Sequence, residues 1–354
     1  MHRPIWLVFF SSLAATACGG LATGSAGAPD GGPTVDARPA APPDASTDAS
    51  EKCALAHRVL KTDSSPIQML TDAERLYWFD NEFGPARVFV TDKCVPGPVL
   101  RLAKLPELGS QLAEDSTYLY LATFSSSPAG GDAGVYAISK ANGAVQKLVD
   151  APMGADGVAV GGGWVYWTES NTNRVGRIRS VGGGGPEILP FLMTAPERVA
   201  VLLDGTVCVV GTTVQCMLPS STIVTLPVPP SVDGPLVDPR FLSNDDHAIY
   251  LAARDPAGAG TVLRATPGPS PTVDTVLDNP ADAGMLALSG VVALADGVYV
   301  ACGTGTVVWV PRAGSPLTQV TIASTLPSFV FFADADGVYW DADEGVDLGP
   351  PIAP

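Results

Sequence analysis

Basic charge is what this chain has least of: its 354 residues include 20 Lys and Arg against 36 Asp and Glu, a formal net charge of -16 at pH 7. Nucleic acid is excluded as a partner on that ground, since phosphate backbones are repelled and no basic patch is available to them. Anionic lipid headgroups are disfavoured for the same reason, so a membrane can hold the protein only through a covalent lipid or an inserted segment. Charge of either sign is scarce, at 16% of residues where globular chains average about 25%. Histidine is scarcer still: His2, His57 and His247, the last in the turn "SNDDHAIY". No two histidines stand at metal-ligand spacing and no Gly-x-Ser-x-Gly elbow occurs, so a histidine-built metal centre and a hydrolase triad both lack their residues. The acidic group Asp334, Asp336, Asp341, Asp343 and Glu344 does not have the spacing of an EF-hand loop, and Asp336-Gly337 reads instead as a hairpin turn. The expectation is a chain with no catalytic residues, no cofactor and no bound metal.

Glycine and proline, by contrast, make up about a fifth of the chain, 38 and 33 residues. That balance suits many short strands joined by tight turns. The first residues stand apart from this. "PIWLVFFSSLAATA", Pro4 to Ala17, follows the basic His2-Arg3 and is shorter than the roughly 20 residues of a membrane span, so residues 1–17 read as an export signal. Ala15-Thr16-Ala17 fits ordinary signal cleavage, and the following Cys18-Gly19 resembles a bacterial lipobox with Ala15 in place of the usual branched residue. Lipidation of Cys18 and plain secretion are the two readings. Residues 18–52 are Gly, Ala, Pro, Asp, Ser and Thr with almost no large apolar side chain. Such a segment cannot bury enough surface to offset chain entropy and reads as a disordered tether. The protein is therefore expected in the cell envelope, as an outer-membrane or surface lipoprotein, or else secreted.

From residue 53 to 354 a unit recurs. Alternating segments centre on Tyr77, Tyr120, Tyr166, Cys208, Tyr250, Tyr299 and Tyr339 ("RLYWF", "YLYLA", "WVYWT", "TVCVV", "AIYLA", "GVYVA", "GVYWD"). Their spacing of 40 to 49 residues is that of β-propeller blades. A short apolar run precedes most of them across a turn such as Gly162-Gly163 or Asp204-Gly205, which favours positive φ in a hairpin. Third and fourth strands follow, so each unit predicts a four-stranded antiparallel blade. The glycines Gly182 to Gly185 fall between third and fourth strands; with no Gly-Lys-Ser/Thr after them they are a turn and not a phosphate cradle. The last unit is short of one strand, and "ALAHRVLKTD", Ala54 to Asp63, is an orphan strand at the start. Pairing the two predicts an all-β, seven-bladed β-propeller closed by its N-terminal strand.

Tyr166-Trp167-Thr168-Glu169, after "GVAVGGG" and before "GRIRSVGGGGPEIL", resembles the repeat of YWTD-type β-propellers, and Tyr77-Trp78 and Tyr339-Trp340 share it. The well-known members have six blades and Asp where this chain has Glu169. The resemblance implies the fold; it does not carry over receptor biology.

The recurrence of the tyrosines at the blade period marks them as packing residues between sheets, since a single ligand site needs no such period. In an exported chain disulfides are permitted. Cys208 and Cys216 flank "VVGTTVQ", and a hairpin about Thr212 sets them opposite each other; Cys53 and Cys94 could tie the closing strand to the first blade, and Cys302 is left over. Binding is expected on the face that carries the connections into each innermost strand and between second and third strands, because those segments vary most. There the candidate ligand-binding residues are Glu169, Asn171 and Asn173, Glu197 and Arg198, and Arg240, on three successive blades. The function expected is non-catalytic binding of a protein, peptide or glycan by a monomer. The alternatives are an enzyme of lactonase or lyase type at the central channel and a structural envelope protein.

Overall fold

The computed structural model describes residues 58–61, 65–82, 84–93, 97–125, 127, 131–180, 183–228, 238–254, 260–278, 288–294, 297–302, 306–311, 318–321, 331–334, 338–342 and 345–349. The expected signal peptide and tether, with Cys18, Cys53 and Cys94, lie outside the described residues. So do Asp336, Asp343 and Glu344.

The chain opens with β1 (Arg58–Lys61). The first blade follows as β2 (Gln68–Thr71), β3 (Arg75–Asp80), β4 (Arg87–Asp92) and β5 (Leu100–Lys104), and the second as β6 (Leu108–Glu114), β7 (Tyr118–Phe124), β8 (Gly134–Ser139) and β9 (Val145–Asp150). The third is β10 (Gly157–Gly161), β11 (Trp164–Glu169), β12 (Arg174–Arg179) and β13 (Glu187–Ile188). The fourth is β14 (Arg198–Val201), β15 (Val207–Val210), β16 (Val214–Met217) and β17 (Ile223–Thr225), and the fifth β18 (Asp238–Asn244), β19 (Ile249–Arg254), β20 (Gly260–Thr266) and β21 (Thr272–Asp278). The sixth is β22 (Leu288–Ala293), β23 (Gly297–Cys302), β24 (Thr306–Pro311) and β25 (Thr318–Thr321). Last come β26 (Phe331–Ala333), β27 (Val338–Ala342) and β28 (Gly345–Gly349), which form a sheet with β1 on the outside in the order β1-β28-β27-β26. The described residues thus make seven four-stranded antiparallel sheets. Their innermost strands adjoin in the sequence β2, β6, β10, β14, β18, β22, β26, and β26 returns against β2. That is a β-propeller.

The alternation of the second strands has a direct physical meaning. A strand sends successive side chains to opposite faces, and in a ring each face meets a different neighbouring blade. Tyr77 accordingly packs with Leu112 and Leu119 of the second blade, while the adjacent Trp78 packs backward with Tyr339 of the last. Tyr120 faces Val158 and Val165 of the third blade; Tyr166 faces Val199 and Val209 of the fourth; Tyr250 faces Val291 and Val300 of the sixth. One apolar cluster fills each junction between neighbouring blades. The array is therefore stabilised chiefly by burial between sheets.

In the fourth blade Cys208 stands where the others have tyrosine, and it is bonded to Cys216. The two are directly opposed across β15 and β16 with Cα atoms 4.0 Å apart, close to the separation of a non-hydrogen-bonded antiparallel pair.

Candidate functional site

The end of the ring carrying the connections into the innermost strands is called here the upper face, and the end carrying the turns between first and second strands the lower. Four blades, the first, second, fifth and last, carry one repeated device at the lower face. Asp72 accepts hydrogen bonds from the amides of Glu74 and Arg75 and from the Tyr77 hydroxyl at 2.9 Å. Asp115 does the same for Thr117, Tyr118 and Tyr120, and Asp245 for His247, Ala248 and Tyr250. Asp334 lies 3.4 Å from the Tyr339 hydroxyl. Tyr77, Tyr120, Tyr250 and Tyr339 are therefore packing residues whose polar tip meets the aspartate five positions earlier, a spacing present in the sequence and left unused by a reading of them as apolar core alone; Tyr166 and Tyr299 have Gly161 and Leu294 at that position. Burial first, and then the aspartate, push the Tyr77, Tyr120 and Tyr250 phenols well above their usual range. Asp334, one of the acidic group weighed as a cation site, is committed to protein: it receives Lys93 Nζ at 2.9 Å and Thr71 Oγ1 at 2.6 Å, both from the first blade. His247 sits in this lower-face turn, exposed, away from the upper face.

The candidate residues in the third blade divide. Glu169 is buried and accepts hydrogen bonds from Trp167 Nε1 at 2.9 Å and Thr172 Oγ1 at 2.7 Å. Its counterpart in the first blade, Asp80, is fully buried and takes the Arg87 guanidinium at 2.8 and 2.6 Å. Both carboxylates hold the corner between second and third strands. Asn173, at φ 55°, the left-handed conformation that asparagine tolerates, accepts the Ala195 amide and so ties one upper loop to the next. Asn171 is exposed and donates to the Met153 carbonyl. Glu197 is exposed on the same face, and its carbonyl receives the Thr168 hydroxyl. Arg240 is the extra residue of a β-bulge in β18, between Pro239 and Phe241. Matching irregularities occur at Ser110 in β6 and Ser289 in β22, near the upper ends of their strands, where bulges re-aim side chains.

Among the candidates whose side chains are described, Arg198 is the one that reaches the axis. It lines a cavity of about 520 Å³ that runs along the innermost strands, with Gln68, Ser110, Gln111, Glu114, Ser243 and Asn244 as its other polar walls. Its Nη1 donates to the Asp156 carbonyl at 3.1 Å, which also accepts the Ser110 hydroxyl at 2.6 Å. Gln68 is spent bridging blades, pairing with both backbone groups of Leu112. At the lower end Glu114 lies 2.8 Å from Lys140 Nζ, which it shares with Asp72 at 3.2 Å, and burial raises its carboxyl above the usual range against the pull of that lysine. Among the described residues no three His, Cys, Asp or Glu side chains converge as a metal site. Sequence reasoning found Arg198 as a loop residue; its place on the channel follows from ring closure, which no local pattern encodes.

No protein-family model matches the chain, and no curated protein matches it. Among solved structures the chain is similar to a catalytically inactive virginiamycin B lyase from Staphylococcus aureus with quinupristin, at 13% identity and a TM-score of 0.60 over 83% of this chain and 98% of that one. The WD40 β-propeller domain of Doa1 is similar at 10% identity and a TM-score of 0.59, over 82% and 94%, and the hydrazine synthase of Kuenenia stuttgartiensis at 14% and 0.58, over 83% and 98%. Identities this low establish a shared β-propeller fold.

Proposed function

We propose that this propeller is a non-catalytic binding protein of the cell envelope, held there through a lipid on Cys18, which takes a protein or peptide partner on its upper face. The observation that carries the reading is the contrast between the two ends of the ring. Four of the lower turns repeat one closed hydrogen-bonded device, whereas the upper connections differ from blade to blade and hold out Met153, 51% exposed beside Asn171, and Leu192, 88% exposed. Large apolar side chains held out on ordered loops lose little entropy when a partner covers them, and each buried one contributes about 1.5–3 kcal/mol. The competing class is an enzyme with its site in the channel, as the lyase likeness suggests; Glu114, the channel's acid among the described residues, is engaged by Lys140.

The test is affinity capture from envelope extracts of the producing cell. Replacing Met153 and Leu192 with Ser and Asn171 with Ala together should remove the captured partner without lowering the melting temperature. Leu203→Ser, at a lower-face turn and 77% exposed, should leave capture intact. Loss in the Leu203 variant and retention in the triple variant would overturn the choice of face.

A further inference from the structure

Three innermost strands bring unlike groups to one level near the upper end of the channel. From β6 come Ser110 and Gln111, from β10 Gly157, and from β14 Arg198. The Asp156 carbonyl joins the first and last, since Ser110 Oγ and Arg198 Nη1 both donate to it. Gln111 accepts the Val158 amide through Oε1 at 3.4 Å, which leaves its amide nitrogen with no partner among the described residues. Arg198 has no carboxylate within ion-pair distance among the described residues, so its remaining N–H donors are directed by one carbonyl and neutralised by none. Between these two donors stands Gly157, where a Cβ would come within 2.7 Å of the Glu197 carbonyl and 3.1 Å of Gln111 Oε1. A side chain there would collide with the Glu197 carbonyl, Thr168 Oγ1 and Gln111 Oε1, so glycine is what lets β10 approach both neighbouring strands this closely.

A guanidinium in such a place lacks what usually accompanies it. Buried cations are ordinarily paired, because removal from water is costly unless an anion and further hydrogen bonds replace the lost hydration. Burial holds the Arg198 guanidinium below its usual range, only partly offset by the charges of Glu197 and Asp156. A planar anion accepting two of its N–H groups supplies the missing partner, in the bidentate geometry that guanidinium favours. Below that level Leu70, Ala113, Val160, Val201 and Leu242 line the cavity, with Ser243, Asn244 and Glu114 at its lower end. The lower end is shut to a second free anion by the Glu114–Lys140 pair.

We infer that the channel mouth is a binding site for a small monocarboxylate with an apolar body, whose carboxylate pairs with Arg198 and the Gln111 amide while its hydrocarbon part occupies the channel. A cavity of about 520 Å³ lies in the range of ordinary small-ligand sites, roughly 300–1,000 Å³. This site is separate from the rim residues to which the protein or peptide partner is assigned, so each can fail without the other.

The probe is octanoate, titrated calorimetrically into the purified protein, with octanamide and acetate as controls. Octanoate should bind, and octanamide and acetate each about tenfold more weakly or worse, one lacking the charge and the other the apolar body. Arg198→Met should lower octanoate affinity at least about tenfold while leaving octanamide binding unchanged. Should Arg198→Met fail to fold, Ala113→Phe, which fills the channel and keeps the guanidinium, should abolish octanoate binding. The rim triple variant should bind octanoate normally. No heat of binding with octanoate at millimolar concentration, or equal affinity in wild type and Arg198→Met, would overturn the proposal.

Discussion

Side-chain roles in this protein turn on what each polar group is paired with. Glu169 and Arg198 are both charged residues near the upper face, yet the first is consumed by Trp167 and Thr172 and the second keeps donors free at the channel. Nothing in their local sequence separates them. Charged residues rarely lie buried without partners, but which loop folds over which is decided by neighbouring blades. The tyrosines offer a sharper test. Because the phenols of Tyr77, Tyr120 and Tyr250 are raised above the unfolded value and that of Tyr136 is pushed up to about 12, the native state keeps protons that the unfolded chain has released. Their stabilisation is complete below about pH 10 and is lost as pH rises through the raised values. The melting temperature should hold to about pH 10 and fall from there to about pH 12, and Tyr77→Phe should flatten that fall while costing about 1–2 kcal/mol at neutral pH through the lost hydrogen bond to Asp72. A pH-independent melting temperature over that range would contradict the assignment.

At the scale of the strand, closure is the decisive event. β1 pairs with β28 over four residues, Arg58 with Leu348 through Lys61 with Gly345, so the last blade takes its outer strand from the start of the chain. The same junction is pinned on the lower face by Lys93, which is 3% exposed and meets Asp334 of the last blade. Deleting Ala54 to Asp63 should lower the stability of the whole domain by roughly 4 kcal/mol from ladder hydrogen bonds alone, at about 1 kcal/mol each, and unfolding should stay cooperative. Chemical denaturation read by Trp fluorescence measures this; an unchanged midpoint would mean that β1 is dispensable. The orphan strand was legible because one unit lacked a strand and one strand lacked a unit. The Lys93–Asp334 bridge was not, since it spans 241 positions and neither residue belongs to the recurring apolar pattern.

At the scale of the whole molecule the net charge of -16 sets the terms for attachment: electrostatic adsorption to an anionic membrane is repulsive, so a lipid on Cys18 is the device we propose. Replacing Cys18 with Ser should shift the protein from the membrane to the soluble fraction, read by fractionation and by the mass of the mature N-terminus; an unmodified N-terminal mass in the native protein would overturn the anchor. The sequence by itself determined the all-β class, the period of the blades, the strand that closes them and the Cys208–Cys216 pair, because each rests on contacts within one unit or on a pattern repeated in every unit. Second strands covered on both faces must stay apolar along their length, and a spacing of 40 to 49 residues leaves length for four strands and their turns. Only the tertiary structure decided the rest. The channel draws its walls from seven strands far apart in the chain, one from each blade, so that Gln111, Gly157 and Arg198, separated by 46 and 41 positions, meet at one level. No local signal records that meeting, because the residues have in common only their place on the axis of the closed ring.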